Sequence, residues 1–149
     1  MGSIAFKHGN TITDIGFDIV LHSLLSTVAL HLEGGNWGQR FPLIMCKLYR
    51  GKLDAEDAVA AFNELQAIQA GLASLSPAQV VWDINDLARR PPWGQAINPG
   101  TTSMANYHAT VDSTNLLDDM LACVSALKQQ GGVLEIIPFD GIEPFYYVS

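Results

Sequence analysis

Charge is scarce in this sequence. Asp, Glu, Lys and Arg supply 15% of its 149 residues, against roughly 25% in an average soluble protein. Only eight are basic, leaving a formal charge of −7 and a pI near 4.8. Direct nucleic-acid binding is therefore not expected, since the phosphate backbone is held chiefly by Lys and Arg. An anionic membrane surface is disfavoured for the same reason. Cysteine is almost missing. Cys46 and Cys123 sit in apolar runs, and two buried reduced thiols are expected. Neither a Cys-x-x-Cys pair nor His-Glu-x-x-His is present, so the common zinc spacings are excluded and no metal or cofactor is expected. The longest greasy stretch, Ile15 to Leu32, is broken by Asp18, His22, Ser23, Ser26, Thr27 and His31. A membrane span needs about 20 mostly apolar residues, so none is expected. Met1 to Lys7 lacks the basic and then apolar pattern of a signal peptide, which makes the cytoplasm the expected location.

What is present is apolar material. Hydrophobic residues make up 48% of the chain, far too many for a disordered one. The length suits one domain, residues 1–149. Ser3–Phe6 and Thr11–Thr13 read as short strands around a His8-Gly9-Asn10 turn. A long helix is expected from Asp14 to Glu33, capped by Thr13 and stopped by Gly34-Gly35. Its apolar arc is Phe17, Val20, Leu21, Leu24, Leu25, Val28 and Leu32, with Asp18, His22, Ser26 and Glu33 opposite, facing solvent or a partner. Phe41–Tyr49 reads as a brief helix begun by Pro42. A second long helix starts at Asp54, with Asp57 in a capping-box spacing, and buries Ala58, Phe62, Leu65, Ile68 and Leu72. Val80–Trp82 and Tyr107–Val111 read as strands on either side of a Pro- and Gly-rich loop over 90–100. Residues 114–130 form a third helix around Leu117, Met120, Leu121, Val124 and Leu127. Gly131-Gly132 stops it before a final strand, Val133–Ile137. The elements are mixed without a β-α-β rhythm, which predicts an α+β fold: a mixed sheet of about five short strands packed with three main helices.

The search for chemistry returns little. Gly34-Gly35-Asn36-Trp37-Gly38 follows a helix and lacks the closing Gly-Lys-Ser/Thr of a phosphate loop. Asp83-Ile84-Asn85-Asp86 begins like a calcium loop, but Leu87 and Ala88 stand where a ligand and a glycine are needed. His22 and His31 lie on opposite sides of one helix, at about 100° per residue, and cannot share an ion. Asp18 and His22 are spaced as a carboxylate and the general base it orients, and equally as an ordinary helix-surface pair. No Gly-x-Ser-x-Gly elbow occurs, and Cys46 in its apolar run makes a poor nucleophile. No catalytic residue is assigned.

The charge is unevenly spread. Residues 1–50 carry a net +1, 51–86 a net −5, 87–111 a net +2 and the remainder −5. Between the acidic blocks, residues 80–94 gather Trp82, Trp93, Asp83, Asp86, Arg89 and Arg90 in one proline-stiffened segment. Trp and Arg are enriched at interface hot spots, and a rigid loop loses little entropy on docking. The same residues can instead anchor the loop, with the tryptophans in the core and the arginines paired to Asp83 and Asp86.

Val80-Val81-Trp82-Asp83-Ile84-Asn85-Asp86-Leu87-Ala88-Arg89-Arg90-Pro91-Pro92-Trp93-Gly94 resembles the signature stretch of the immunity protein 70 family of bacterial polymorphic toxin and contact-dependent inhibition systems. His22-Ser23, Trp37-Gly38, Arg40-Phe41-Pro42, Leu48-Tyr49, Gly51-Lys52-Leu53, Asn106-Tyr107 and the third helix match in order, through about residues 3–137. The second helix is blander than the family pattern, at Ala58-Val59-Ala60-Ala61-Phe62 and Ala67-Ile68-Gln69-Ala70, and the Phe145-Tyr146-Tyr147 tail has no counterpart. The resemblance implies a non-enzymatic α+β protein, encoded beside a toxin, that binds the cognate toxin domain in the cytoplasm. It brings no catalytic residues. The expected mechanism is occlusion of the toxin's active site, and a nuclease with a basic cleft would suit an acidic partner. The expected toxin-binding residues are Asp83, Asp86, Arg89, Arg90, Trp93, Asp112, Asp118 and Asp119. Asp118 and Asp119 also sit where they favour the helix dipole. A homodimer, a non-enzymatic adaptor or ligand-binding module, and a small hydrolase using Asp18 and His22 are the alternatives.

Overall fold

The hairpin expected around His8-Gly9-Asn10 forms, and it runs longer than its sequence pattern. In the computed structural model, which describes residues 2–94 and 96–139, β1 spans Ser3–His8 and β2 spans Thr11–Phe17. Strand β2 continues through the stretch expected to open the first helix. Gly16 pairs with Ile4 and Phe17 with Ser3, with a bulge at Ile4/Ala5. Gly16 has φ +100°, and a Cβ there would crowd Val111 at 3.1 Å, so a glycine suits this corner. Helix α1 then covers Asp18–Leu32 without a side-chain cap, its first N–H donating to Gly2 O at 2.9 Å. Thr13, expected as the cap, lies inside β2 instead.

Two further strands complete an antiparallel sheet of order β2-β1-β4-β3, with β3 at Lys52–Asp54 and β4 at Val133–Pro138. The class is the expected α+β, built on four strands among the described residues. Two expected strands are not strands. Val80–Trp82 is extended but pairs with helix side chains, described below. Tyr107–Val111 makes one bridge, Ala109 to Asn115. Conversely, β3 carries one buried residue, Leu53, between exposed Lys52 and Asp54, too short a pattern for alternation to reveal.

Helix α2 (Ala58–Ala73) follows a tight turn over Ala55–Asp57. The expected capping box does not form: neither Asp54 nor Asp57 caps the helix, and Asp57 Oδ2 instead accepts from Lys47 Nζ at 2.8 Å. Helix α3 (Leu116–Gln130) begins at Asn115, whose side chain accepts from Leu117 N, and ends at Gly131 with φ +77°. The brief helix after Pro42 is a wide turn over Leu43–Leu48, closed by Tyr49 N donating to Ile44 O. Its first N–H groups, of Leu43 and Ile44, donate to the Glu64 carboxylate of α2 at 3.3 and 3.0 Å.

The core lies between helices and sheet. Leu21, Leu24, Leu25 and Val28 of α1, Leu65, Ile68 and Leu72 of α2, and Leu117, Met120, Val124 and Leu127 of α3 are buried, with Phe6, Leu53 and Leu134 from the strands. Phe17 departs from the expected arc, being 60% exposed at the end of β2. Gly71 lies within α2 because Leu32 of α1 packs onto it; a Cβ would stand 2.8 Å from the Leu32 methyls. Both cysteines are free thiols, but half-buried rather than sealed in the core.

Candidate functional site

The polar side of α1 was expected to meet solvent or a partner. It meets the chain's own segment 79–84. Thr27 Oγ1 accepts from Val81 N at 3.0 Å, Ser23 Oγ donates to Val81 O at 2.8 Å, and Ser26 Oγ accepts from Ile84 N at 3.1 Å. His31 Nε2 donates to Gln79 O at 2.9 Å. Ser23, Ser26 and Thr27 are fully buried by this arrangement. An extended segment buried beside a helix must have its backbone groups satisfied, and here helix hydroxyls do what a neighbouring strand would do. That is why Val80–Trp82 has the composition of a strand without being one.

The same segment carries Asp83 to His22. His22 Nε2 stands 3.0 Å from Asp83 Oδ1, and His22 Nδ1 stands 2.7 Å from Tyr49 Oη. An ionised carboxylate only accepts, so Nε2 bears a proton and donates to Asp83, while Nδ1 pairs with the tyrosine hydroxyl. Arg89 donates to Asp83 Oδ2 at 3.2 Å, and Asn85 N to Oδ1 at 2.9 Å. The His22 bond, the Asn85 N–H and the Arg89 guanidinium hold the Asp83 carboxyl below its ordinary range, the first being the largest cause. Burial, then the charges of Asp18 and Asp83, push the Tyr49 phenol up, so it stays protonated. Trp37 stacks on His22 with centroids 5.8 Å apart and meets Tyr49 at 5.1 Å, while its own N–H donates to Met45 O at 2.7 Å. The loop bearing Trp37 is organised from within by Glu33, which is 5% exposed. Its carboxylate accepts backbone N–H groups from Gly38, Arg40 and Phe41 at 3.0, 2.9 and 3.0 Å.

Deeper in, His108 is sealed from solvent, and burial pushes its pKa down to about 3. The ring is therefore neutral at physiological pH. Ser23 Oγ spends its proton on Val81 O, so it accepts from His108 Nε2–H at 2.9 Å. His108 Nδ1 has no partner among the described residues. Outward from His108, Tyr107 accepts from Trp93 Nε1 at 2.8 Å, and Trp93 stands edge-on to Trp82 with centroids 5.3 Å apart.

The expected binding residues fall into two groups. Asp83 is taken up by the three internal donors above, and Arg89 is its partner. Asp86 is exposed and caps its own turn, accepting from Ala88 N at 3.2 Å. Arg90 is exposed, donating to Leu87 O and Arg89 O. Trp93 is 46% exposed. The second group lies at the start of α3. Asp112 is exposed in the turn before it, Asp119 Oδ2 accepts from Thr114 Oγ1 of that turn, and Asp118 Oδ1 accepts from Gln69 Nε2 of α2 at 3.5 Å. Among the described residues, no hydrogen bond or ion pair joins the two groups.

The alternative pair does not form. Asp18 Oδ2 accepts from Gly2 N at 3.3 Å, and His22 turns to Asp83 and Tyr49. An open concavity of about 380 Å³ does lie beside them, lined by Ile4, Asp18, His22, Tyr49 and Ile136. Both ring nitrogens of His22 are already engaged, so His22 presents no free nitrogen to it. Among the described residues, no group of three His, Cys, Asp or Glu side chains is placed to hold a metal ion, and no helix is long and apolar enough to cross a membrane.

The partners that sequence spacing missed are Tyr49, Trp37 and His108. Their contacts span 8 to 85 positions of chain, and no local period records such contacts. The resemblance did carry a signal: His22-Ser23, Trp37-Gly38, Leu48-Tyr49, residues 80–94 and Asn106-Tyr107 all converge on this one network. A family model described as Immunity protein 70 matches residues 6–136. No curated protein and no solved structure matches the chain.

Proposed function

We propose that this chain, which belongs to the Immunity protein 70 family, binds and neutralises a cognate toxin domain in the cytoplasm of the cell that makes the toxin. The observation that carries this reading is the family match over residues 6–136. The geometry supports binding rather than catalysis. The titratable side chains of this network, His22, Asp83, Tyr49 and His108, are engaged with one another or buried, and they hold segment 79–94 in place. A segment held this way presents Asp86, Arg90 and Trp93 in a set conformation, which lowers the entropy lost on docking.

The proposed mode is occlusion of the toxin's active site. Of the expected contacts, Asp86, Arg89, Arg90, Trp93, Asp112 and Asp118 are exposed and have surface available to a partner, whereas Asp83 and Asp119 are partly buried and support them. The exposed carboxylates of a −7 protein would accelerate encounter with a basic cleft, such as a nuclease uses for phosphates. Co-expression with the toxin domain encoded by the adjacent gene tests the reading. Restored growth and a co-purifying complex are expected. Failure of both would remove it.

A further inference from the structure

We infer that the groove between the second half of α1 and the stretch carrying Leu87, Arg90, Gly94 and Ile97 is where the toxin docks, and that it takes an apolar toxin segment carrying a carboxylate. The inference rests on the immunity reading and specifies the partner's chemistry. The groove holds about 690 Å³. Its floor is Val81 and Trp82, and its rim includes Leu30, Leu87, Ile97 and Arg90. Leu87 and Ile97 are 53% and 45% exposed, large apolar side chains left in water at the edge of the cleft. Grouped apolar exposure of this kind marks interaction sites, whereas scattered single residues do not.

Charge identifies the occupant. Among the described residues no Asp or Glu lines the groove, although the chain has fifteen of them. Arg90 does line it. The Arg90 guanidinium donates only to Leu87 O at 2.8 Å and Arg89 O at 3.3 Å and has no carboxylate partner among the described residues. Those bonds fix the loop carbonyls and leave the other guanidinium nitrogens without a protein acceptor there. An unpaired guanidinium beside an apolar cleft is complementary to an Asp or Glu flanked by apolar side chains, and pairing with it adds geometric specificity. The floor is preformed. Val81 is fixed by Ser23 and Thr27, and Trp82 is braced by Trp93, so docking orders little new structure. The described acidic residues lie outside this groove. On this arrangement they steer the approach, and the groove anchors.

The test is titration of the adjacent-gene toxin domain, purified as a catalytically inactive variant, against wild type, Leu87→Asp, Leu87→Ser, Ile97→Asp and Arg90→Glu at low and high salt. All four substitutions are at exposed positions, and unchanged circular dichroism and unfolding midpoints establish that the fold persists. Leu87→Ser is the milder variant should Leu87→Asp not fold. Each variant is expected to weaken binding by about tenfold or more, with Arg90→Lys retaining part of the affinity. Binding within twofold of wild type for all of them overturns the groove and leaves the immunity reading intact. A wild-type protein that does not bind the toxin overturns both. A wild-type dimer that Leu87→Asp dissociates in sedimentation assigns the groove to a second copy and overturns the inference.

Discussion

Nε2 of His22 donates to Oδ1 of Asp83 across 3.0 Å, from a helix to a loop 61 positions further along the chain. This bond, with Arg89 on the other carboxylate oxygen and Tyr49 on the other ring nitrogen, joins three segments in one chain of donors and acceptors. The loop is thereby held at its middle, between the hydroxyl bonds of segment 79–82 and the exposed stretch beyond Asp86.

His22→Ala and Asp83→Ala are each expected to loosen this loop. The double-mutant cycle should give a coupling of about 1 kcal/mol, a charge-assisted bond discounted for partial exposure. Hydrogen exchange at Asn85 and Ala88 should speed up in both variants. Because the folded-state pKa of Asp83 lies below its ordinary 3.8, the stability it contributes is present above that value and is lost as pH falls through the lowered one. Trp fluorescence followed below pH 3.8 reads this directly.

Glu33 is a buried carboxylate accepting three backbone N–H groups. Glu33→Gln keeps the shape but points an NH₂ group at an N–H donor. A loss of about 2 kcal/mol in urea unfolding is expected. Equal stability of the two proteins would show that the 34–41 loop is held by other contacts.

His108 ties acid sensitivity to folding. Its folded pKa is about 3 against an ordinary 6.5, so between those values the unfolded chain takes up a proton that the folded one refuses. Stability is complete above about pH 6.5 and falls as pH drops towards 3, by roughly 1 kcal/mol per pH unit. His108→Gln keeps a donor for Ser23 without the titration. Its unfolding free energy should depend less on pH over that interval by the same amount.

Asp86, Asp112 and Asp118 are exposed, and their reversal to Lys should leave the fold in place. The triple variant is expected to slow toxin association by about tenfold at low salt, with the difference shrinking as salt rises. Stopped-flow association rates provide the measurement. An unchanged rate at low salt would remove these carboxylates from the encounter.

The sequence by itself determined which helix faces are buried and where α1 and α3 stop. Leu24, Val28, Leu65, Ile68, Val124 and Leu127 all lie in the core, because burial of a helical stripe needs only the helix's own 3.6-residue period. Gly34-Gly35 and Gly131-Gly132 end helices because their positive φ is a local property. What the polar residues would do was decided only in three dimensions. Ser26 read as part of a wet face, yet it is fully buried together with Ser23 and Thr27, since a hydroxyl is equally at home in water or against a backbone that needs a partner. Val81 read as a strand residue, and it found helix hydroxyls instead of a neighbouring strand. The scarcity of charge was plain from composition. Its allocation was not: Asp83 and Arg89 pair internally, Glu33 organises a loop, and Arg90 remains at the edge of an apolar groove. Charges act through space, so their partners depend on which distant segments the packing brings within a few ångströms.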